Sequence, residues 1–254
     1  MSSVGACADT VKYRSAPSQY TFSNPPLDER WYRIPTVRES TAMARKILHL
    51  TTIGDLVTTF PEPARGNIET SEVRPAQVAG SPIGLMEYYA DCDPRSGDPI
   101  VLGIDIATPY RNHAAGSNIS LAVRWWPKQR TAYSFFSTDE DIPTPHTPAA
   151  LPRFSLHGTL RAVPEEKLAD GKIQKCFLRA HPDSIYWQPG NDISHSSQYM
   201  QLHVEHVYWF GGFGDRARIG WLPIELWRNL TMEEIIDAKL PGEQRKKSWM
   251  KSWL

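Results

Sequence analysis

The chain has 254 residues, 41% of them hydrophobic, and its 28 basic and 28 acidic side chains cancel to a formal net charge of zero. That balance excludes the global electrostatic pull of a nucleic-acid binder, and the hydrophobic share supports an ordinary soluble core. No stretch reaches the about 18 consecutive apolar residues of a spanning helix.

Met1–Ser15 lacks the basic start and apolar run of a secretory signal, so a cytoplasmic protein is expected. Cys7, Cys92 and Cys176 lie far apart without metal-ligand spacing, and so few thiols fit a reducing compartment better than a disulfide framework. The triplets Asn118-Ile-Ser and Asn229-Leu-Thr match glycosylation sequons, which carry little weight without a secretory signal.

In chain order, residues 1–35 are rich in Pro, Ser and aromatics and form an extended arm with Trp31 and Tyr32 as anchors. Thr36-Val-Arg-Glu39 has the form of a capping box. It opens a helix to about Leu50 with Ala44, Ile47 and Leu48 on its apolar side. Gly54 ends that unit, and Leu56 to Phe60 is a short strand. The composition from Pro61 to Ser81 is loop-like.

Strands follow at Ile83–Tyr89 and, after the turn Asp93–Gly97, at Ile100–Ile106. A polar crossing loop leads to Ile119–Trp126, where Ile119, Leu121, Val123 and Trp125 alternate with Ser120, Ala122, Arg124 and Trp126. Residues 127–152 form a Pro/Thr/Asp-rich insertion, long enough to be functional or disordered. Phe154 to Leu160 begins another strand, and one helix runs from Glu165 to Ala180, closed by His181-Pro182. The last long strand, Tyr199–Phe210, places Met200, Leu202, Val204 and His206 on one face. A Gly211-Gly-Phe-Gly214 turn and a short strand, Ala217–Trp221, follow. The tail, 231–254, turns helical after Thr231, whose partner Glu234 repeats the capping box, and ends in the basic, Trp-bearing run Arg245–Leu254. Such a run suits a membrane surface or a partner as well as a solvated tail. Six or so strands with few helices between them predict a mainly β protein, an antiparallel barrel with peripheral helices over 36–230.

The order of local signatures resembles one branch of the pyridoxamine-phosphate-oxidase-like (flavin-reductase-like) split barrels. Met43-Ala-Arg-Lys-Ile-Leu48 is similar to its first helix, Gly54–Thr59 to its first strand, and Pro82-Ile-Gly to the segment after that strand. Ile100–Leu121, Leu156–Val163, Ala180–Asp183 and Val204–Phe213 complete the series. The branch contains HugZ-type haem-degrading proteins and CREG-type proteins. The resemblance implies a six-stranded split barrel, paired as a homodimer, with a small-molecule cofactor pocket at the interface. The implied cofactor is a flavin such as FMN, with haem as the alternative and a cofactor-free binding module as a third reading. The phosphate grips of true pyridoxamine-phosphate oxidases are missing: Ile83–Tyr89 holds no Arg or Lys, and Thr108-Pro109 stands where a basic pair is expected.

The residues bet on for the cofactor are Asp105, Thr108, Tyr110, Arg111, Asn112 and His113. Together they offer hydroxyls, one guanidinium fork and loop amides to an anionic group. His203 or His206 is the candidate haem ligand, imidazole being suited to iron. On a regular strand the two face opposite ways and cannot share one metal. No His-x-x-x-His or Cys-x-x-Cys pair exists, so no dedicated metal site is expected. The glycines of 211–214 are read as a turn, and Trp125 and Trp126 as packing residues that alternatively line an aromatic pocket beside Arg124.

Overall fold

Thr36 caps the first helix as its sequence dictates. Its hydroxyl accepts from the Glu39 amide while the Glu39 carboxylate accepts from the Thr36 amide at 2.7 Å. The structure, a computed structural model, describes residues 34–62, 74–127, 148–191, 195–212, 217–241 and 243. The expectations for the arm with Trp31 and Tyr32, most of the 127–152 insertion, Phe213-Gly214 and the basic C-terminal run lie outside the described residues. The chain divides into two units, 1–33 and 34–254, and every described residue belongs to the second.

After α1 (Val37–Leu50) come β1 (Ile53–Thr59), β2 (Pro82–Ala90), β3 (Ile100–Ile104), α2 (Thr108–Ala114) and β4 (Ile119–Arg124). Then come β5 (Arg153–Ala162), α3 (Glu165–Leu168), α4 (Lys172–Ala180), β6 (Ser197–Phe210), β7 (Ile219–Leu222), α5 (Ile224–Asn229) and α6 (Met232–Asp237). Gly54, read as the end of the helical unit, lies inside β1. The single helix expected over 165–180 is broken in two, because Gly171 adopts φ +66° and resets the chain direction before α4.

The strands pair antiparallel in the order β3-β2-β1-β4-β5-β6-β7, and β3 also pairs with β6. That extra pairing closes six strands into a barrel and leaves β7 as an added edge. The alternation read in the sequence is the inside-outside alternation of the wall. Leu56, Leu121, Leu156, Val204, Val207 and Trp209 point inward into one buried cluster. A second cluster, with Ile100, Leu102, Phe177 and Tyr199, lies outside the wall beneath α4.

The barrel has a split. β2 and β3 pair only at Tyr89↔Val101 and Ala90↔Ile100, so the register that would set Glu87 opposite Gly103 is not continued. Tyr110 of α2 packs into that gap: a Cβ on Gly103 would meet its ring at 3.1 Å.

Cys92, just after β2, is bonded to Cys176 on α4 across 84 residues of sequence. This overturns the expectation of free thiols at those two positions, and with it the ground for a reducing compartment. No helix among the described residues is long and apolar enough to cross a membrane.

Two charged residues of α1 are buried against the C-terminal segment. The Arg45 guanidinium donates to the carbonyls of Trp227 and Pro94, and Lys46 Nζ donates to the carbonyls of Ile236 at 2.9 Å and Ala238 at 2.6 Å. Residues 224–238 are thus tied to the first helix and do not hang free.

The second capping box forms as expected at Thr231 and Glu234, and Arg38 of α1 donates to the Glu234 carboxylate as well. The Arg38 contact, helped by the Thr231 amide, holds the Glu234 pKa down to about 2. A carboxylate whose pKa falls on folding adds stability above its unfolded pKa and loses it as pH falls through the folded value. The stability gap between wild type and Glu234→Gln should therefore shrink from pH 5 to pH 2, read by urea titration at each pH. Because the pair is solvent-exposed, the gap will be small.

Candidate functional site

The segment expected to be a crossing loop is mostly helix α2, and the structure gives its polar residues different tasks. Asn112 is buried, and its amide donates to Thr58 Oγ1 inside the barrel at 3.1 Å. Both ring nitrogens of His113 face backbone carbonyls, Ser117 at 3.2 Å and Leu160 at 3.3 Å, so neither is offered to a ligand. Tyr110 is buried in the seam. Its hydroxyl makes no hydrogen bond of ordinary geometry, and burial together with the nearby Glu87 carboxyl raises its pKa well above 10. Burial likewise raises the Glu87 pKa. Thr108 opens α2, and it and Arg111 are half-buried.

Asp105 sits at the end of β3, where its carboxylate accepts from the Ser196 hydroxyl at 2.9 Å. That bond is the main reason its pKa is lowered. Asp105 and Tyr110 share a cavity of about 240 Å³ with Gly103, Ile104, Met200 and the 196–198 run. No Arg or Lys lines it, and an ionised carboxylate does. The residues present therefore do not fit a phosphate at this spot: an anion beside Asp105 would meet repulsion with nothing to offset it.

The larger concavity, about 330 Å³, lies on the outward face of β1, β4, β5 and β6. Register builds it. Asp55 pairs with Ala122, Ala122 with Ser155, Ser155 with Tyr208, and Tyr208 with Trp221, so these five side chains form one row across the sheet. One row further along stand Arg124, Arg153 and Phe210, again directly paired. The small Ala122 and Ser155 make a floor, Tyr208 and Phe210 a wall, and the two guanidiniums close one end. Arg124 is 68% exposed and reaches Asp55 only at 3.5 Å, a loose surface pair worth little. Arg153 is held more firmly, stacked 3.9 Å over the Phe210 ring and bonded to the Ala149 carbonyl at 3.1 Å. Trp125 is packed, its indole donating to the Pro241 carbonyl at 2.6 Å, whereas Trp126 is largely exposed.

The two histidines proposed for haem do not face opposite ways. Between His157 and Gly158 the β5–β6 register shifts, pairing His157 with His206 but Gly158 with Val204. Glu205 is the extra residue of a β-bulge, and the skip turns His206 to the same outward face as His203. The expectation that His206 shares a face with Leu202 and Val204 is corrected accordingly. The bulge requires glycine at 158, because a Cβ there would sit 1.9 Å from the His203 carbonyl oxygen.

His203 is engaged, with Nδ1 3.2 Å from an Asp98 carboxylate that also pairs with Arg228 at 2.8 Å. His206 instead lies beside Trp221, opposite His157. Burial first, and then the His206 charge, lowers the His157 pKa. His157 and Trp221 lie outside the cofactor residues expected from sequence, and of the groove only Arg124 is foreseen there, beside the alternative aromatic pocket. The small-residue alternation of Ser120, Ala122 and Ser155 was visible, but its meaning depends on which strands pair.

A family model described as "CREG, beta-barrel" matches residues 35–229. No curated protein matches the chain. Among solved structures, a heme binding protein from Mycobacterium smegmatis is 20% identical, with a TM-score of 0.49 over 77% of this chain and 61% of that one. This chain thus spans about three-fifths of that protein's length. A fad-binding protein from Mesorhizobium loti is 13% identical, with a TM-score of 0.38 over 65% of this chain and 87% of that one. A Clostridium acetobutylicum protein of the pyridoxinephosphate oxidase family is 10% identical, with a TM-score of 0.40 over 68% and 89%. With a family match that runs from the first helix through the whole barrel to α5, the chain belongs to the CREG beta-barrel family.

Proposed function

We propose that the protein works as a homodimer and binds a planar, anionic cofactor of the flavin type in the outward groove of β1, β4, β5 and β6, not along the 105–113 segment. The carrying observation is the groove itself: about 330 Å³, with Arg124 and Arg153 at one end and Tyr208 and Phe210 along a wall. Guanidiniums are the side chains best shaped for a phosphate, and aromatic faces accept a planar ring. The fold leaves Ile53, Met86, Trp126 and Trp221 exposed, apolar surface that a second copy would cover while roofing the groove. A bound flavin would supply oxidoreductase chemistry. The chain's part is to orient it and to neutralise its charge.

Haem is the second reading, favoured by the outward His206 beside Trp221, two residues along β6 from the groove wall at Tyr208.

Titration with FMN, followed by flavin fluorescence, and with haemin, followed by its Soret band, separates the readings. FMN should bind saturably. Arg124→Ala should weaken it about 10–100-fold, since a charged hydrogen bond is worth about 1.5–3 kcal/mol. Arg111→Ala should leave it unchanged. The reverse pattern would return the site to α2. Preference for haemin with loss on His206→Ala would establish the second reading, and uptake of neither would leave a cofactor-free binding module.

A further inference from the structure

We propose that His157 and His206 form a two-imidazole site for a divalent first-row metal of borderline softness, the class of Cu²⁺, Ni²⁺ and Zn²⁺. The proposal does not depend on the groove reading. The two residues are direct register partners on adjacent central strands. Directly opposed residues on an antiparallel pair have Cβ atoms about 4.5–5.5 Å apart, a spacing from which two imidazoles can converge on one ion. On an unbulged β6 the residue outward at this level would be Glu205, and His206 would turn into the barrel. The Glu205 bulge, which only Gly158 can accommodate, is what brings a second imidazole to this face.

The surroundings suit a metal with open coordination positions. Trp221 packs against both rings, at 5.6 Å from His157 and 6.2 Å from His206, and gives one side an aromatic wall. Glu205, the nearest carboxylate in sequence, is turned to Thr159, whose hydroxyl it accepts at 2.8 Å. No group of three or more His, Cys, Asp or Glu among the described residues is placed to hold a metal. The ion would therefore take two protein nitrogens and complete its shell with water or an added ligand, the arrangement of an open site and not a closed structural one. Imidazole nitrogens favour this class of metal over Mg²⁺ or Ca²⁺, which prefer oxygen.

Cu²⁺ alone is the probe, because the ion quenches a neighbouring indole. Titrating the full chain should give saturable, one-to-one quenching, with Mg²⁺ without effect. His157→Asn and His206→Asn should each weaken the apparent Kd at least tenfold. Trp221→Phe should remove most of the quenching while calorimetry still records one bound ion, and Lys175→Ala, on α4, should leave the Cu²⁺ affinity unchanged. Both histidines are on the barrel's outer face, and unchanged melting of the Asn variants will show that the fold is intact. The proposal is overturned if the double variant binds Cu²⁺ as wild type does, or if only one of the two histidines matters.

Discussion

Gly158→Ala should destabilise the barrel by about 4 kcal/mol or more, a loss large enough to leave much of the protein unfolded on expression. The new Cβ would lie 1.9 Å from the His203 carbonyl oxygen and 2.9 Å from its carbon, where ordinary contact begins at 3.4 Å. Both atoms belong to backbone, so no side chain can swing aside. The chain has two ways out. It can pull β5 from β6, breaking a pairing that runs from Arg153↔Phe210 to Ala162↔Met200 through the middle of the closed sheet. Or it can expel the bulge, which slips one arm of β6 by a residue and turns its Val207 and Trp209 away from the core. Either route forfeits the burial of several large side chains. Gly84→Ala is the matched control: its Cβ would meet only Val57 Cγ2, at 3.5 Å, on the outer wall. That variant should stay within about 1 kcal/mol of wild type. Urea midpoints for the two variants check the contrast, and equal stabilities would mean that the bulge is not where the structure puts it.

The bulge also shows how far a single sequence carries. Its trace was in plain view: buried residues recur at Leu202, Val204, Val207 and Trp209, and the step of three between the valines breaks a period of two. Regular alternation carried across that step puts His206 on the wrong face. Elsewhere local pattern was enough. Thr36–Glu39 and Thr231–Glu234 cap their helices because a capping box needs only four residues to be legible. Leu121 and Leu156 alternate with small or polar neighbours because β4 and β5 each have one dry face. What stayed hidden depends on distant partners. Arg45 and Lys46 stand beside the apolar Ala44, Ile47 and Leu48 with nothing local to pair them, yet carbonyls some 180–190 positions later bury them. Asn112 and His113 read as ligand donors, since nothing near them in sequence announces that Thr58 and the Leu160 carbonyl need partners. The floor of the groove is a register property: Ala122 and Ser155 mean little until they are known to be neighbours.

Reduction of the Cys92–Cys176 bond, or its removal in Cys92→Ser/Cys176→Ser, should cost about 2–4 kcal/mol, roughly 4–16 °C in Tm for a chain of this size. In the chain-entropy account, a link across 84 residues restricts the unfolded ensemble by about 4.5 kcal/mol. The measured loss should be smaller, because the reduced unfolded chain keeps some structure. The native state loses little directly. Phe177 of α4 is fully buried, the His181 ring stacks 4.1 Å from Tyr88 and reaches the Tyr89 carbonyl at 3.0 Å, and the Tyr88 hydroxyl donates to Asp183 at 2.9 Å. These contacts keep α4 seated on β2 without the covalent link, but each is individually reversible. Hydrogen exchange on the reduced protein should therefore quicken first over 165–191, while amides of β4, β5 and the second half of β6 keep their protection. Thiol labelling of the oxidised, denatured protein should find one reactive cysteine, Cys7, and reductant should raise the count to three. If all three label without reductant in protein purified from an oxidising compartment, the link is absent, and the seating of α4 rests on Phe177 and the Tyr88–His181 stack alone.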